Sequence, residues 1–207
     1  MSKRNPWVTL SSRIVLSNPW FRLRTDEVIR PDGKRGDYHT VLAPAAVGVV
    51  PCFDDGSILL VGQYRYSISR YSWEIPEGGG KPGERPIQTA RRELLEETGY
   101  RAARFRSLGI FHTSNCFTNE TAYLFYAWNL TAGKPRPDGT EEFVVRRLPF
   151  EDAYEMAVDG RITDSLTIVA LFRLRERLRT WPRAPAPSLS GASEQARATG
   201  VSLKPRL

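Results

Sequence analysis

Cysteine is almost missing from this sequence: Cys52 and Cys116 are the only two in 207 residues. Two thiols cannot build the disulfide framework of a small secreted domain, and neither sits at metal-ligand spacing. Both are expected as buried thiols in a cytoplasmic protein. Long apolar runs are missing as well. No stretch reaches the roughly 18 apolar residues that a membrane-crossing helix needs. The opening residues, Met1-Ser2-Lys3-Arg4-Asn5-Pro6-Trp7, lack the apolar segment of a secretory signal. There is no internal repeat. Aromatic residues vanish after Trp181, where Pro, Ala, Ser and Gly dominate, so residues 182–207 are expected to be a disordered basic tail with a net charge of +3.

What remains is enough for one globular domain of about 150 residues with appendages. Hydrophobic residues make up 41% and aromatics 11%, which provides a sizeable core. The net charge is +7, part of it in the tail and part in the series Arg173, Arg175, Arg177 and Arg179. Such a balance permits contact with nucleic acid, yet no module combining basic and stacking residues is visible. A solvated basic surface that draws in anionic nucleotides is the reading preferred here.

The chain is organised around Gly78 to Tyr100, GGGKPGERPIQTARRELLEETGY. Pro86 suits the first turn of a helix, where its missing N–H would be unpaired anyway, and Gly99 suits a left-handed C-terminal cap. On that helix Ile87, Ala90 and Leu94 share a stripe that can face a core, while Glu93, Glu96 and Glu97 share the neighbouring sector. Glu84, in the Gly-rich approach, can fold back toward them. Three carboxylates on one sector repel, and a raised pKa or a bound hard cation relieves the repulsion. Carboxylate oxygens with room for waters suit Mg²⁺, which also takes substrate phosphate oxygens. Arg92 can hold one of the acids by a bidentate pair.

The spacing Gly78-x5-Glu84-x7-Arg92-Glu93-Leu94-x-Glu96-Glu97-x-Gly99 follows the Nudix box, with Tyr100 where an aliphatic residue is usual. Seven fixed residues at ordinary frequencies coincide by chance about once in 10⁸ windows. The chain therefore resembles a Nudix hydrolase. That resemblance implies an α+β fold, an α/β/α sandwich with a mixed sheet. Glu93 and Glu97 would be the first metal ligands, with Glu96 next and the carbonyl of Glu77 as helper. The implied cofactor is Mg²⁺, with Mn²⁺ as the alternative.

Short strands are expected at Arg13–Leu16, Trp20–Asp26, Val28–Arg30 and Tyr38–Leu42, forming a small N-terminal β layer over residues 1–42. The main domain would cover 43–181. Ala46–Pro51 and Ser57–Val61 read as a hairpin around Asp54-Asp55-Gly56. Further strands are expected at Tyr71–Ile75, Ala103–Ile110, Ala122–Trp128 and Phe143–Leu148. A helix should cover Phe150–Val158, and a last one, capped by Thr163 or Asp164, should run to about Thr180 with Leu166, Val169, Leu171 and Phe172 on its apolar face.

The runs Gly62-Gln-Tyr-Arg65 and Arg70-Tyr-Ser-Trp73-Glu-Ile-Pro76, and Ile162-Thr-Asp-Ser near the end, are similar to the Nudix branch that cleaves ADP-ribose and other nucleoside diphosphate sugars. By that resemblance the first layer is a dimerisation domain exchanged between two subunits, the substrate is a nucleotide sugar, and Trp20 and Tyr38 stack the base. Arg65 and Arg70 are candidates for phosphate contact. Two departures stand out. Ser114-Asn115-Cys116 replaces a Ser-Pro-Gly context, and Glu77 replaces the alanine of Pro-Ala-Gly, which adds an acid beside the site. The general base is sought outside the box, in Glu142 and Glu141 and then Glu120, with Glu97 also in the catalytic set. Glu120 doubles as a contact for the sugar. His112 and His39 are read as structural. A triphosphate pyrophosphatase, an RNA-processing Nudix enzyme and a non-catalytic nucleotide-sugar sensor are the alternatives; a sensor would normally have lost a box acid, and all are present.

Overall fold

The computed structural model describes residues 4–134 and 143–180. Three strands near the N-terminus, β1 (Val8–Ser17), β2 (Arg22–Ile29) and β3 (Arg35–Leu42), form an antiparallel sheet in that order. The expected break between Trp20–Asp26 and Val28–Arg30 is absent. Glu27 is paired with Ser11 on one side and Asp37 on the other, so the central strand continues through it. Asn18 closes the first turn by accepting the N–H groups of Trp20 and Phe21 at 2.9 and 2.8 Å. Every residue of β1 is exposed, its apolar Val8, Leu10, Ile14, Val15 and Leu16 included.

The rest of the described chain runs β4 (Ala46–Pro51), β5 (Ser57–Arg65), β6 (Arg70–Glu74), β7 (Glu77–Gly79), α1 (Pro86–Thr98), β8 (Tyr100–His112), β9 (Thr121–Ala132), β10 (Val144–Pro149), α2 (Phe150–Val158) and α3 (Ser165–Thr180). A mixed sheet has the order β7-β4-β9-β8, with β4 and β9 parallel and the other pairs antiparallel. A second sheet has the order β10-β5-β6. The hairpin expected from Ala46–Pro51 and Ser57–Val61 is therefore not formed. Both sides of β4 are taken by β7 and β9, and both sides of β5 by β10 and β6, leaving one bridge between Cys52 and Ile58. Strands buried on both faces read as continuous apolar runs, and such runs do not announce their partners.

Alternation along β4 divides the core. Val47 and Val49 pack with Ala90 and Leu94 of α1 on one face of the mixed sheet. Val50 packs on the other face with Ile58 and Leu60 of β5 and with α2 and α3. This is the α/β/α arrangement. Asp164 caps α3 by accepting the N–H of Thr167 at 2.7 Å. Helix α3 buries Leu166, Ala170, Leu171 and Leu174, whereas Phe172, expected on the apolar face, is 41% exposed. Arg173 donates to the carbonyls of Leu108 and Ile110, which occupies part of the open edge of β8. Among the described residues no helix is long and apolar enough to cross a membrane.

Candidate active site

The site is assembled where β7 meets α1. Strand β7 pairs with β4 through Gly48↔Glu77, Val47↔Gly78 and Ala46↔Gly79, which presents the Gly-rich backbone to the first residues of the helix. Helix α1 begins at Pro86 as expected, and Gln88 accepts the N–H of Arg85 at 2.9 Å. It ends at Gly99, whose φ of 74° is the left-handed cap. With both ends fixed, Glu93 and Glu97 lie one turn apart on a buried sector, 8% and 7% exposed.

Two contacts explain the tight approach. A Cβ on Gly78 would stand 2.2 Å from Glu93 Oε1, so only glycine leaves room for that carboxylate over β7. The backbone N–H of Glu77 donates to Glu97 Oε2 at 3.2 Å. Arg92 gathers the remaining acids. Its guanidinium donates to both oxygens of Glu84, at 3.1 and 3.0 Å, to Glu93 Oε1 at 2.6 Å and to Glu96 Oε2 at 3.0 Å. Glu84 thus folds back onto the helix, where it also accepts from Thr89 Oγ1 and Lys81 N. The Arg92 hydrogen bonds pull the Glu84 carboxyl down to a pKa of about 2.

Glu77 is a different case. Its side chain is 12% exposed, and Oε1 lies 3.7 Å from Arg65 Nη2. Oε2 is buried without a hydrogen-bond partner. Burial raises its pKa well above the carboxylate range, and the neighbouring charges of Asp164, Glu74 and Glu97 push the same way.

Glu77 and two of the box acids, Glu84 and Glu97, line a cleft of about 1500 Å³, whose walls also include Trp20, Arg65 and Glu120, while Glu93 and Glu96 stand behind that wall. Trp20 is 75% exposed at the tip of the β1–β2 turn. Arg65 reaches the cleft with its guanidinium doubly bonded to the buried Glu74. Glu120 also lines the cleft, and its Oε2 accepts from Thr113 Oγ1 at 2.7 Å. Arg70 is exposed on β6 and Tyr38 stands on β3; neither is among the cleft-lining residues. Instead, the Tyr38 hydroxyl donates to the Cys116 carbonyl at 2.7 Å, and its ring meets Trp7 edge-on. Cys116 is exposed, against expectation, while Cys52 is partly buried and its thiol is pushed up by desolvation. Glu141 and Glu142 fall outside the described residues.

Several contributors escaped the reading of the sequence. Glu74 holds Arg65, and Asp164 adds charge near Glu77. Thr167 Oγ1 accepts the N–H of Ile75 at 2.9 Å, tying the strand before the site to α3. Asn119 accepts the N–H of Ala43 and donates its own N–H to Val41 O, so the loop bearing Glu120 is fastened to the N-terminal sheet. Asp164 carried a sequence signal as a helix cap; Thr167 and Asn119 carried none, because each acts across a long separation in the chain, and Glu74 meets Arg65 only through the pairing of β5 with β6.

The donor set is of oxygen atoms, which is what Mg²⁺ takes, and the orphaned Glu77 Oε2 fits the same ion. Among the described residues no group of three or more His, Cys, Asp or Glu side chains is placed to hold a metal ion by itself. A partial shell completed by water and phosphate oxygens is the way Mg²⁺ is usually held.

Comparison with known proteins agrees with this geometry. The NUDIX domain model matches residues 42–166, and the nucleoside diphosphate sugar hydrolase N-terminal domain matches residues 7–41. The chain is 34% identical over 174 residues to the ADP-ribose pyrophosphatase of Bacillus subtilis (strain 168), covering 82% of this chain and 94% of that protein. It is also 34% identical over 176 residues to the methanol dehydrogenase activator of Bacillus methanolicus, covering 83% and 95%. A crystal structure of an ADP compounds hydrolase superposes with a TM-score of 0.76 at 22% identity, over 86% of this chain and 97% of that one, and shares the fold. The chain belongs to the Nudix hydrolase family and carries the N-terminal domain of its nucleoside diphosphate sugar branch.

Proposed function

We propose that this protein hydrolyses the diphosphate of ADP-ribose or a related nucleoside diphosphate sugar, giving a nucleoside monophosphate and a sugar phosphate. The observation that carries this reading is one cleft lined by Glu84 and Glu97 of the box, by Arg65 and by Trp20 of the N-terminal sheet. Its volume of about 1500 Å³ has room for a diphosphate carrying two bulky groups. The likeness to the Bacillus subtilis enzyme supports the choice of ADP-ribose.

Water attacks one phosphorus and the bond to the bridging oxygen breaks, so the chain has to position, neutralise charge and remove a proton. Glu93 and Glu97 would hold Mg²⁺, with Glu96 and the Glu77 carbonyl assisting. When bound, the ion neutralises phosphoryl charge and makes water a better nucleophile. Arg65 pairs with a phosphate by its planar fork, which Glu74 keeps in place. Trp20 offers an open aromatic face to the base. Glu142 and Glu141, then Glu120, are the candidates to take the proton from water. Glu120 also faces the end of the cleft where a sugar would lie.

A triphosphate would extend further negative charge toward Glu120, which costs up to several kcal/mol where the acid is ionised and partly desolvated. A panel of nucleotide sugars, dinucleotides and nucleoside triphosphates with Mg²⁺ tests the reading. The kcat/KM for a nucleoside diphosphate sugar should exceed that for any triphosphate by about tenfold or more, about 1.4 kcal/mol in transition-state binding. Highest efficiency for release of inorganic pyrophosphate from a triphosphate would refute the substrate class.

A further inference from the structure

We propose that the side-chain carboxylate of Glu77, and not its backbone carbonyl alone, is a ligand of the divalent cation. This rests on the metal-dependent reading above and extends it to a group that the Pro-Ala-Gly pattern lacks.

Glu77 Oε2 is buried and makes no hydrogen bond. Removing a carboxylate oxygen from water without replacing its hydrogen bonds is costly, and native structures rarely tolerate it away from sites of binding or strain. Nearby side chains do not relieve it. Arg65 is the adjacent cation, but its Nη2 stays 3.7 Å from Oε1, and that nitrogen and Nε donate to Glu74. The other charged neighbours are Asp164, Glu74 and Glu97, all of the same sign. A group of this kind is satisfied by a positive charge arriving from the cleft.

The position is also right. Residue 77 lines the cleft, and its own N–H holds Glu97 Oε2 at 3.2 Å. The carboxylate of Glu97, a proposed ligand, therefore lies directly against the residue whose side-chain oxygen is orphaned. Gly78, the next residue, is the one that makes room for Glu93. One short strand thus holds Glu97 by the backbone of Glu77 and clears the space that Glu93 occupies. Mg²⁺ and Mn²⁺ accept such carboxylate oxygens and leave other positions for water and phosphate.

The test uses the full-length chain stripped of metal with EDTA and then freed of the chelator, with Mn²⁺ as the probe. Free Mn²⁺ is followed by electron paramagnetic resonance in the absence of substrate. Glu77→Gln and Glu77→Ala should each bind Mn²⁺ at least about tenfold more weakly than the native chain. Both should melt higher than the native chain in EDTA, because an acid buried among the like charges of Asp164, Glu74 and Glu97 is gone, and both should gain less in Tm when Mn²⁺ is added. Native-like Mn²⁺ affinity in both variants, with affinity lost in Glu93→Gln, would overturn the role of Glu77 and leave the proposed function standing. A lower melting temperature of both variants in EDTA would also overturn it, since Glu77 would then have a structural partner. Failure of the native chain itself to bind Mn²⁺ would remove this inference and the metal-dependent reading together.

Discussion

A methyl group on Gly78 would sit 2.2 Å from Glu93 Oε1 and 2.4 Å from its Cδ, well inside any tolerable contact. Glu93 would have to swing away, and Arg92, which it shares with Glu84 and Glu96, would lose a partner. Displacing a site group by about 1 Å can cost on the order of 10² in rate. Gly78→Ala should therefore lower kcat by about that factor in a folded protein, as measured by steady-state assay beside circular dichroism. Glu84 yields a prediction of a different kind. Arg92 depresses its folded-state pKa to about 2, below the value of about 4.3 for a free glutamate. The stabilisation it brings is present above about pH 4.3 and is lost as pH falls through about 2. The stability difference between the native chain and Glu84→Gln, taken from urea midpoints, should shrink across that window and stay constant above about pH 5.

At the scale of elements, α1 was legible because its limits are written in single residues. Pro86, Gly99, the apolar stripe and the acidic sector all appear where local chemistry requires them. The partners of β4 and β5 were not legible, because two uniformly apolar strands can pair with anything equally apolar. The connection between α3 and the strand entering the site is likewise a product of packing. Thr167 is fully buried and accepts the Ile75 N–H. Thr167→Val keeps the shape and leaves that N–H unsatisfied, which should cost about 1–3 kcal/mol in a denaturant titration. Activity should fall as well, since Ile75 leads through Pro76 into Glu77. A valine variant with native stability and rate would show that the bond carries no weight.

For the whole molecule, the exposed apolar residues of β1 are the outstanding feature. Val8, Leu10, Ile14, Val15 and Leu16 of β1, and Trp7 just before it, are each 38% exposed or more among the described residues. Contiguous apolar surface of this kind marks an interface. A homodimer through residues 1–42 is the expected state, and sedimentation at micromolar concentration should show twice the mass of the chain. Replacing Leu10, Ile14 and Leu16 together by serine should shift the protein toward monomer. The same substitutions should lower activity, because the sheet also holds Trp20 and fastens the loop of Glu120 through Val41, Ala43 and Asn119.

The sequence alone determined the helix of acids, its ends, the Gly-rich approach and hence the family, because these depend on neighbours within about one or two turns of chain. It also determined where most strands would lie, through their apolar runs, but not β7, whose Glu-Gly-Gly has no such run. Tertiary structure decided which strands became neighbours and tied Ile75 to Thr167 of α3. It turned Tyr38 into a fastening for the Cys116 loop instead of a wall of the cleft. It also buried Glu77 Oε2 among like charges. The physical reason is common to all of these. A side chain's partner across the fold is set by the packing of sheets and helices that converge from distant segments, and neither periodicity nor capping chemistry carries that information.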